Sequence, residues 1–184
     1  EMLPWYDEKK YKIHFCQSAW LGEGQWNSAV LDDLGLYQVY GEHQHRNYAS
    51  FSSKGSWSTA RYYPLLMVED LELGKTHYFE IKSPSSWYAE LCIEYDESGE
   101  EALYVFLSDS CEKNDGWHKT LAPGEMYQTA EVVYGTVEGG FEAAVQRLTR
   151  HKRADSKAHF ENGLPPVCFN DYMNCCWAMP SWEK

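Results

Sequence analysis

The strongest constraint on the fold is a two-residue alternation that recurs through the first two thirds of the chain, in short runs cut by turn residues. In Leu91-Cys92-Ile93-Glu94-Tyr95-Asp96 the side chains of Leu91, Ile93 and Tyr95 share one face, while Glu94 and Asp96 take the other. That is the pattern of a half-buried strand, and it ends in the turn-forming DESGEE. His77-Tyr78-Phe79-Glu80-Ile81 and the run EALYVFL over 101–107 behave alike. The second is apolar on both faces and is therefore expected at the centre of a sheet. Further strands are expected over 12–16, 36–40, 65–69, 86–90 and 126–134, with turns at Gly35, Gly41, Gly55, Gly74, Pro84, Gly116 and Pro123-Gly124. A series of this kind predicts a mainly β protein, an all-β sandwich.

The period changes after Gly139-Gly140. Phe141, Ala144, Val145 and Leu148 recur at helical spacing, Glu142 sits in the first turn, and Arg147, Arg150, Lys152 and Arg153 gather toward the end. This predicts one amphipathic helix with charges that complement its dipole, so the basic cluster reads as helix capping and not as a nucleic-acid contact. The polar stretch ADSKAHFENGLPP then leads through Pro165-Pro166 into the apolar Val167-Cys168-Phe169, readable as a buried strand. The expected division is a sandwich domain over 1–155 ending in the helix, and a second domain over 156–184 that is barely begun. At 184 residues the chain has room for one ordinary domain and the first element of another.

Composition narrows the partners. A formal charge of −12 repels phosphate backbones, which excludes generic nucleic-acid binding. The longest apolar stretch, YYPLLMV over 62–68, is far short of the roughly 18 residues a membrane span requires. The opening EMLPWYDEKKYK shows no charged region followed by an apolar core, so no secretory signal is expected, although a start on Glu is also what a processed chain would show. The six cysteines include no CxxC pair, and reduced thiols in a cytoplasmic protein are the expected reading. Eight Trp, 14 Tyr and 7 Phe are a heavy load of stiff rings, suited to sheet packing and to sugar or ligand surfaces.

Isolated motifs carry little chemistry. Gly22-Glu23-Gly24 lacks the rest of a phosphate-binding fingerprint and reads as a turn. His43-Gln44-His45 has no third ligand at sensible spacing, so a solvated loop and no metal site is expected. Cys111 and His118 flank the turn NDGW as a nucleophile and base could, but nothing in the sequence makes them converge, and a packed thiol is the default reading. The acidic pairs Asp32-Asp33, Glu69-Asp70 and Glu100-Glu101 read as solvated surface, because neighbours on a strand point to opposite faces. No cofactor is expected.

Several segments, in order and over nearly the whole chain, resemble the melibiase-type α-galactosidases of glycoside hydrolase family 36. They are FCQSAWLGEGQW (15–26), SSKGSWSTARYYPLL (52–66), SSWYAEL (85–91), LAPGEMYQTAEV (121–132), GGFEAAVQRLTRHKR (139–153) and, most specific, PPVCFNDYMNCCW (165–177). Ala178-Met179-Pro180 stands where relatives commonly have Gly-Asp-Pro. The resemblance implies an N-terminal β-supersandwich followed by the first strand of a (β/α)8 barrel. It further implies, for the parent, retaining hydrolysis of terminal α-galactosyl residues, as in melibiose and raffinose, by two carboxyl groups about 5 Å apart. In relatives both are aspartates on later barrel strands, so no catalytic residue is expected in this chain, and the chain alone is expected to be inactive.

What the resemblance implies for this chain is binding and assembly into a homo-oligomer. Asn170, Asp171 and Tyr172 would emerge at the C-terminal end of the first barrel strand, Asp171 to accept sugar hydroxyl protons and Tyr172 to line the ring. Capping of a strand-to-helix turn is the alternative for Asn170 and Asp171. The segment Gly55-Ser56-Trp57-Ser58-Thr59-Ala60-Arg61 occupies the place of a loop that reaches a neighbouring subunit's pocket in some relatives. Trp57 is its candidate contact, with burial between sheets as the alternative. A non-catalytic carbohydrate-binding or subunit-assembly module is the competing reading of the whole chain.

Overall fold

The computed structural model describes residues 10–36, 48–95, 101–155 and 167. The chain divides into two compact units, 1–150 and 151–184, and the described part of the second is limited to the end of one helix and Val167. The first unit is mainly β. Its strands are β1 (Tyr11–Ala19), β2 (Gly22–Val30), β3 (Tyr48–Ser53), β4 (Tyr62–Asp70), β5 (Lys75–Ile81), β6 (Trp87–Tyr95), β7 (Glu101–Ser108) and β8 (Val132–Glu138), with a short helix α1 (Glu112–Asp115) and a long one, α2 (Phe141–Asp155). They form two antiparallel sheets, one in the order β2-β1-β4-β5-β8 and one in the order β3-β6-β7.

Alternation in the strands builds three layers. From the larger sheet Ile13, Leu66, Val68 and Ile81 point inward, and from the smaller sheet Phe51, Trp87, Ala89 and Leu91 meet them in one continuous core. Fully burying an aliphatic or aromatic side chain of this size contributes roughly 1.5–3 kcal/mol, so this interface is the main source of stability. The alternate residues of the larger sheet, Leu65, Met67 and Tyr78, face the other way and are covered by Ala144 and Leu148 of α2, with Phe141 and Val145 beside them. The helical stripe read from the sequence is therefore the stripe that seals the outer face of the sheet. Two glycines permit the close approach. A Cβ on Gly135 would stand 2.2 Å from the Tyr78 hydroxyl, and one on Gly140 would stand 2.5 Å from Oε1 of Glu69.

Several expectations change. Among the described residues the run over 101–107 is β7, at the edge of its three-stranded sheet and not at the centre, which belongs to β6. Its inner residues Leu103, Val105 and Leu107 pack on the core, while its second apolar face, Tyr104 and Phe106, stacks ring on ring at 6.3 Å with Phe106 exposed. The strands expected over 86–90 and 91–96 are one strand, β6, because no residue between them breaks the ladder. The strand expected over 126–134 begins only at Val132. Gly22-Glu23-Gly24 opens β2 and is not the turn itself, which is made by Trp20 and Leu21. Glu69 and Asp70 are not solvated: Asp70 is buried and accepts the backbone N–H groups of Glu72 and Leu73, closing the β4–β5 turn. Of the strand expected over 36–40, residues 37–40 lie outside the described residues, as do His43 and His45.

Among the described residues Cys16, Cys92 and Cys111 are thiols and not disulfides. No described helix is long and apolar enough to cross a membrane.

Candidate functional site: an exposed indole pair

The β1–β2 hairpin and the loop between β3 and β4 bring two tryptophans together on the surface. Trp20 is 71% exposed and Trp57 is 57% exposed, with ring centroids 5.5 Å apart and planes inclined at 47°. Of the two arrangements open to Trp57, the structure has the exposed one. Trp20 stands in the two-residue hairpin turn, followed by Leu21, which is 90% exposed and holds a left-handed φ of 62°. A β-carbon makes that region unfavourable, and Leu21 is kept there with its backbone N–H donating to Oε1 of Glu23 at 3.1 Å.

The loop that carries Trp57 is tied down at every turn. Ser53 Oγ donates to the Trp57 carbonyl at 3.0 Å and accepts the Ala60 N–H at 2.9 Å, drawing the two ends of the loop onto the end of β3. The indole N–H of buried Trp87 donates to the Ser58 carbonyl at 2.5 Å, the Gly55 N–H donates to Ser86 Oγ at 3.0 Å, and the Ser18 N–H donates to the Arg61 carbonyl at 2.9 Å. Asn114 of α1 donates to the carbonyls of Ser53 and Trp87 and locks the base of the loop to β6. Trp57 is thus an apolar ring held out in water by a scaffold whose polar groups are satisfied, an arrangement suited to a stacking surface. Two tilted indoles cannot sandwich a flat ring, but together they present a V-shaped wall to the C–H face of a sugar or to an apolar side chain.

The other expected site residues are not brought into view: Asn170, Asp171 and Tyr172 lie outside the described residues, together with the expected first barrel strand apart from Val167. Cys111 precedes α1 and its backbone N–H bonds Asp115 Oδ1 at 3.1 Å, and no hydrogen bond joins it to His118. Among the described residues no group of three or more His, Cys, Asp or Glu is arranged to hold a metal ion.

Sequence reasoning missed Trp20. Its only local signal was a bulky residue just before Leu21-Gly22, and its approach to Trp57 depends on the pairing of β1 with β4, which no local pattern reveals.

A polar cluster on the smaller sheet was missed as well. Glu90, 3% exposed on β6, receives Lys113 from α1 and the Tyr88 hydroxyl. The Lys113 ammonium lies 4.1 Å from the centre of the Tyr48 ring. Its hydrogen bond to Glu90 holds the Lys113 pKa well above the usual lysine range, while burial and the Glu90 hydrogen bond push the Tyr88 phenol up.

Comparison of the chain with family models, with curated proteins and with solved structures finds no match in any of the three.

Proposed function

We propose that the chain is the N-terminal sandwich region of a melibiase-type retaining α-galactosidase, whose two catalytic aspartates belong to barrel strands beyond these residues. In this reading the sandwich supports folding and homo-oligomer assembly and shapes the substrate pocket. Val167-Cys168-Phe169 begins the barrel, and Asn170, Asp171 and Tyr172 follow it at the galactose pocket. The observation that carries the reading is the exposed Trp57 indole on a rigid loop, in the segment where the resemblance places a loop that reaches a neighbouring subunit. The two-sheet core with one amphipathic helix after the last strand supports the mainly β part of this reading.

The second reading, a carbohydrate-binding or assembly module that works without a barrel, is favoured by Trp20, because a doubled aromatic wall is more than a single inserted side chain needs. Titration calorimetry of the chain with melibiose separates the two. The α-galactosidase reading expects weak or absent binding, since most of the pocket is elsewhere. Affinity in the micromolar to low millimolar range, lost in Trp20→Ala and Trp57→Ala, would establish the second reading in its place.

A further inference from the structure

Beneath α2, three strands contribute a serine, a histidine and a carboxylate that meet at hydrogen-bond distance. His14 of β1 is 3% exposed, and both its ring nitrogens are engaged. Nδ1 lies 2.7 Å from Oγ of Ser28 on β2, and Nε2 lies 2.7 Å from Oε2 of Glu69 on β4. The ring is braced by Phe141 at 5.1 Å. An ionised Glu69 can only accept, so the hydrogen-bond network assigns the proton of neutral His14 to Nε2 and leaves the Nδ1 lone pair facing the Ser28 hydroxyl, which donates. Nucleophile, base and orienting acid thus stand in the order that activates serine for acyl transfer, with the two ring nitrogens exchanged relative to the familiar hydrolase triad.

Exposure divides the three in a way that a purely structural strap does not require. Ser28 faces solvent on an edge strand, whereas His14 is dry and Glu69 is mostly covered. Trp26, two residues before Ser28 on the same face of β2, is 41% exposed and meets Phe141 edge-on at 4.9 Å. A group arriving at Ser28 therefore finds an indole wall beside it.

We propose that Ser28 is a nucleophilic serine, with His14 as its general base and Glu69 as the positioning residue, and that it accepts acyl groups from small aryl esters. Ser28 Oγ bonds to the carbonyl carbon as its proton passes to His14 Nδ1. The bond from that carbon to the aryl oxygen then breaks, and the departing phenolate takes the proton. Water next attacks the acyl-serine, again giving its proton to Nδ1. Collapse returns that proton to Ser28 Oγ, so that one ester and one water become one acid and one phenol. This site is separate from the indole pair, and the proposal does not depend on the α-galactosidase reading.

The test uses the chain with a biotinylated fluorophosphonate, in which a Ser Oγ–P bond forms as P–F breaks, and with p-nitrophenyl acetate. Peptide mapping is expected to place the label on Ser28 about 100-fold faster than on the exposed loop residue Ser56, the scale of general-base assistance. Ser28→Ala, at an exposed position, is expected to abolish both the label there and the nitrophenol burst. His14→Gln is expected to reduce labelling to the Ser56 rate, and Glu69→Gln to lower kcat about tenfold with KM unchanged. Should His14→Gln lose its folded circular dichroism, Glu69→Gln carries the test. Labelling of Ser28 no faster than Ser56, or labelling that persists undiminished in a folded His14 or Glu69 variant, would overturn the proposal and leave His14 as a tie between strands.

Discussion

The indole of Trp20 lies 5.5 Å from that of Trp57, although one stands on a hairpin turn and the other on the loop that joins the two sheets. Both rings remain more than half exposed, so neither is needed to fill the core. Trp57→Ala and Trp20→Ala are therefore each expected to change the stability of the chain by no more than about 0.5 kcal/mol in urea unfolding. In a full-length α-galactosidase Trp57→Ala is expected to raise KM for raffinose with little change in kcat, the signature of lost binding made equally in ground and transition states. A loss of several kcal/mol of stability would show that the rings serve packing instead.

Glu90 and Lys113 form an unequal pair, the carboxylate side chain 4% exposed and the ammonium-bearing side chain 51% exposed. Removing the lysine takes an ion-pair partner from a buried carboxylate, so Lys113→Met is expected to cost about 2 kcal/mol. That is less than a fully buried pair, because one partner is already in water. Adding Glu90→Leu should recover most of the loss. The folded Lys113 pKa is raised above its ordinary value of 10.5, so its contribution is fully present below that pH and fades only as the pH climbs through the raised value. The difference between wild type and Lys113→Met should accordingly be flat from pH 6 to 9 in denaturant titrations. A difference that disappears within that window would contradict the pairing.

Gly135 lies opposite Tyr78 in the β5–β8 ladder, and the tyrosine ring occupies the space a methyl would need. Gly135→Ala is expected to destabilise the chain by about 1–3 kcal/mol through overpacking, even though alanine ordinarily costs a strand less than glycine. Thermal unfolding decides it, and a stabilised Gly135→Ala would show that Tyr78 turns aside freely.

Burial pushes the Cys16 thiol up from its ordinary value, and Cys16 and Cys92 are both shielded from solvent. Native alkylation with iodoacetamide followed by peptide mapping should modify Cys111 well before either. Raising the pH within the native range should leave Cys16 slow, because both access and thiolate formation oppose it. Rapid modification of Cys16 in folded protein would show that its cover opens in the native state.

The residues that were legible in the sequence are those whose structure is set by their neighbours in the chain. Alternation located β4, β5, β6 and β7, and the 3.6-residue period located α2, because one buried face writes itself into each pattern. β2 was not legible. Its sequence, GEGQWNSAV, is polar or exposed at most positions, since it is an edge strand with little to bury. The edge position of β7 was misread because Tyr104 and Phe106, apolar by type, stack on each other on the outer face. Trp57 could be named from its segment, but its partner Trp20 could not. The same holds for Ser28, His14 and Glu69, which meet only through the register of β1 against β2 and β4. Contacts between strands distant in sequence are the part that local pattern does not encode.

The central claim, a front domain that lacks the glycosidase aspartates of a sugar-cleaving enzyme, is tested most directly by turnover of p-nitrophenyl α-galactoside. Residues 1–184 are expected to release no nitrophenol, while the same polypeptide continued through a complete barrel is expected to turn over with retention at the anomeric carbon. Hydrolysis by residues 1–184 alone, or none by the continued chain, would contradict it.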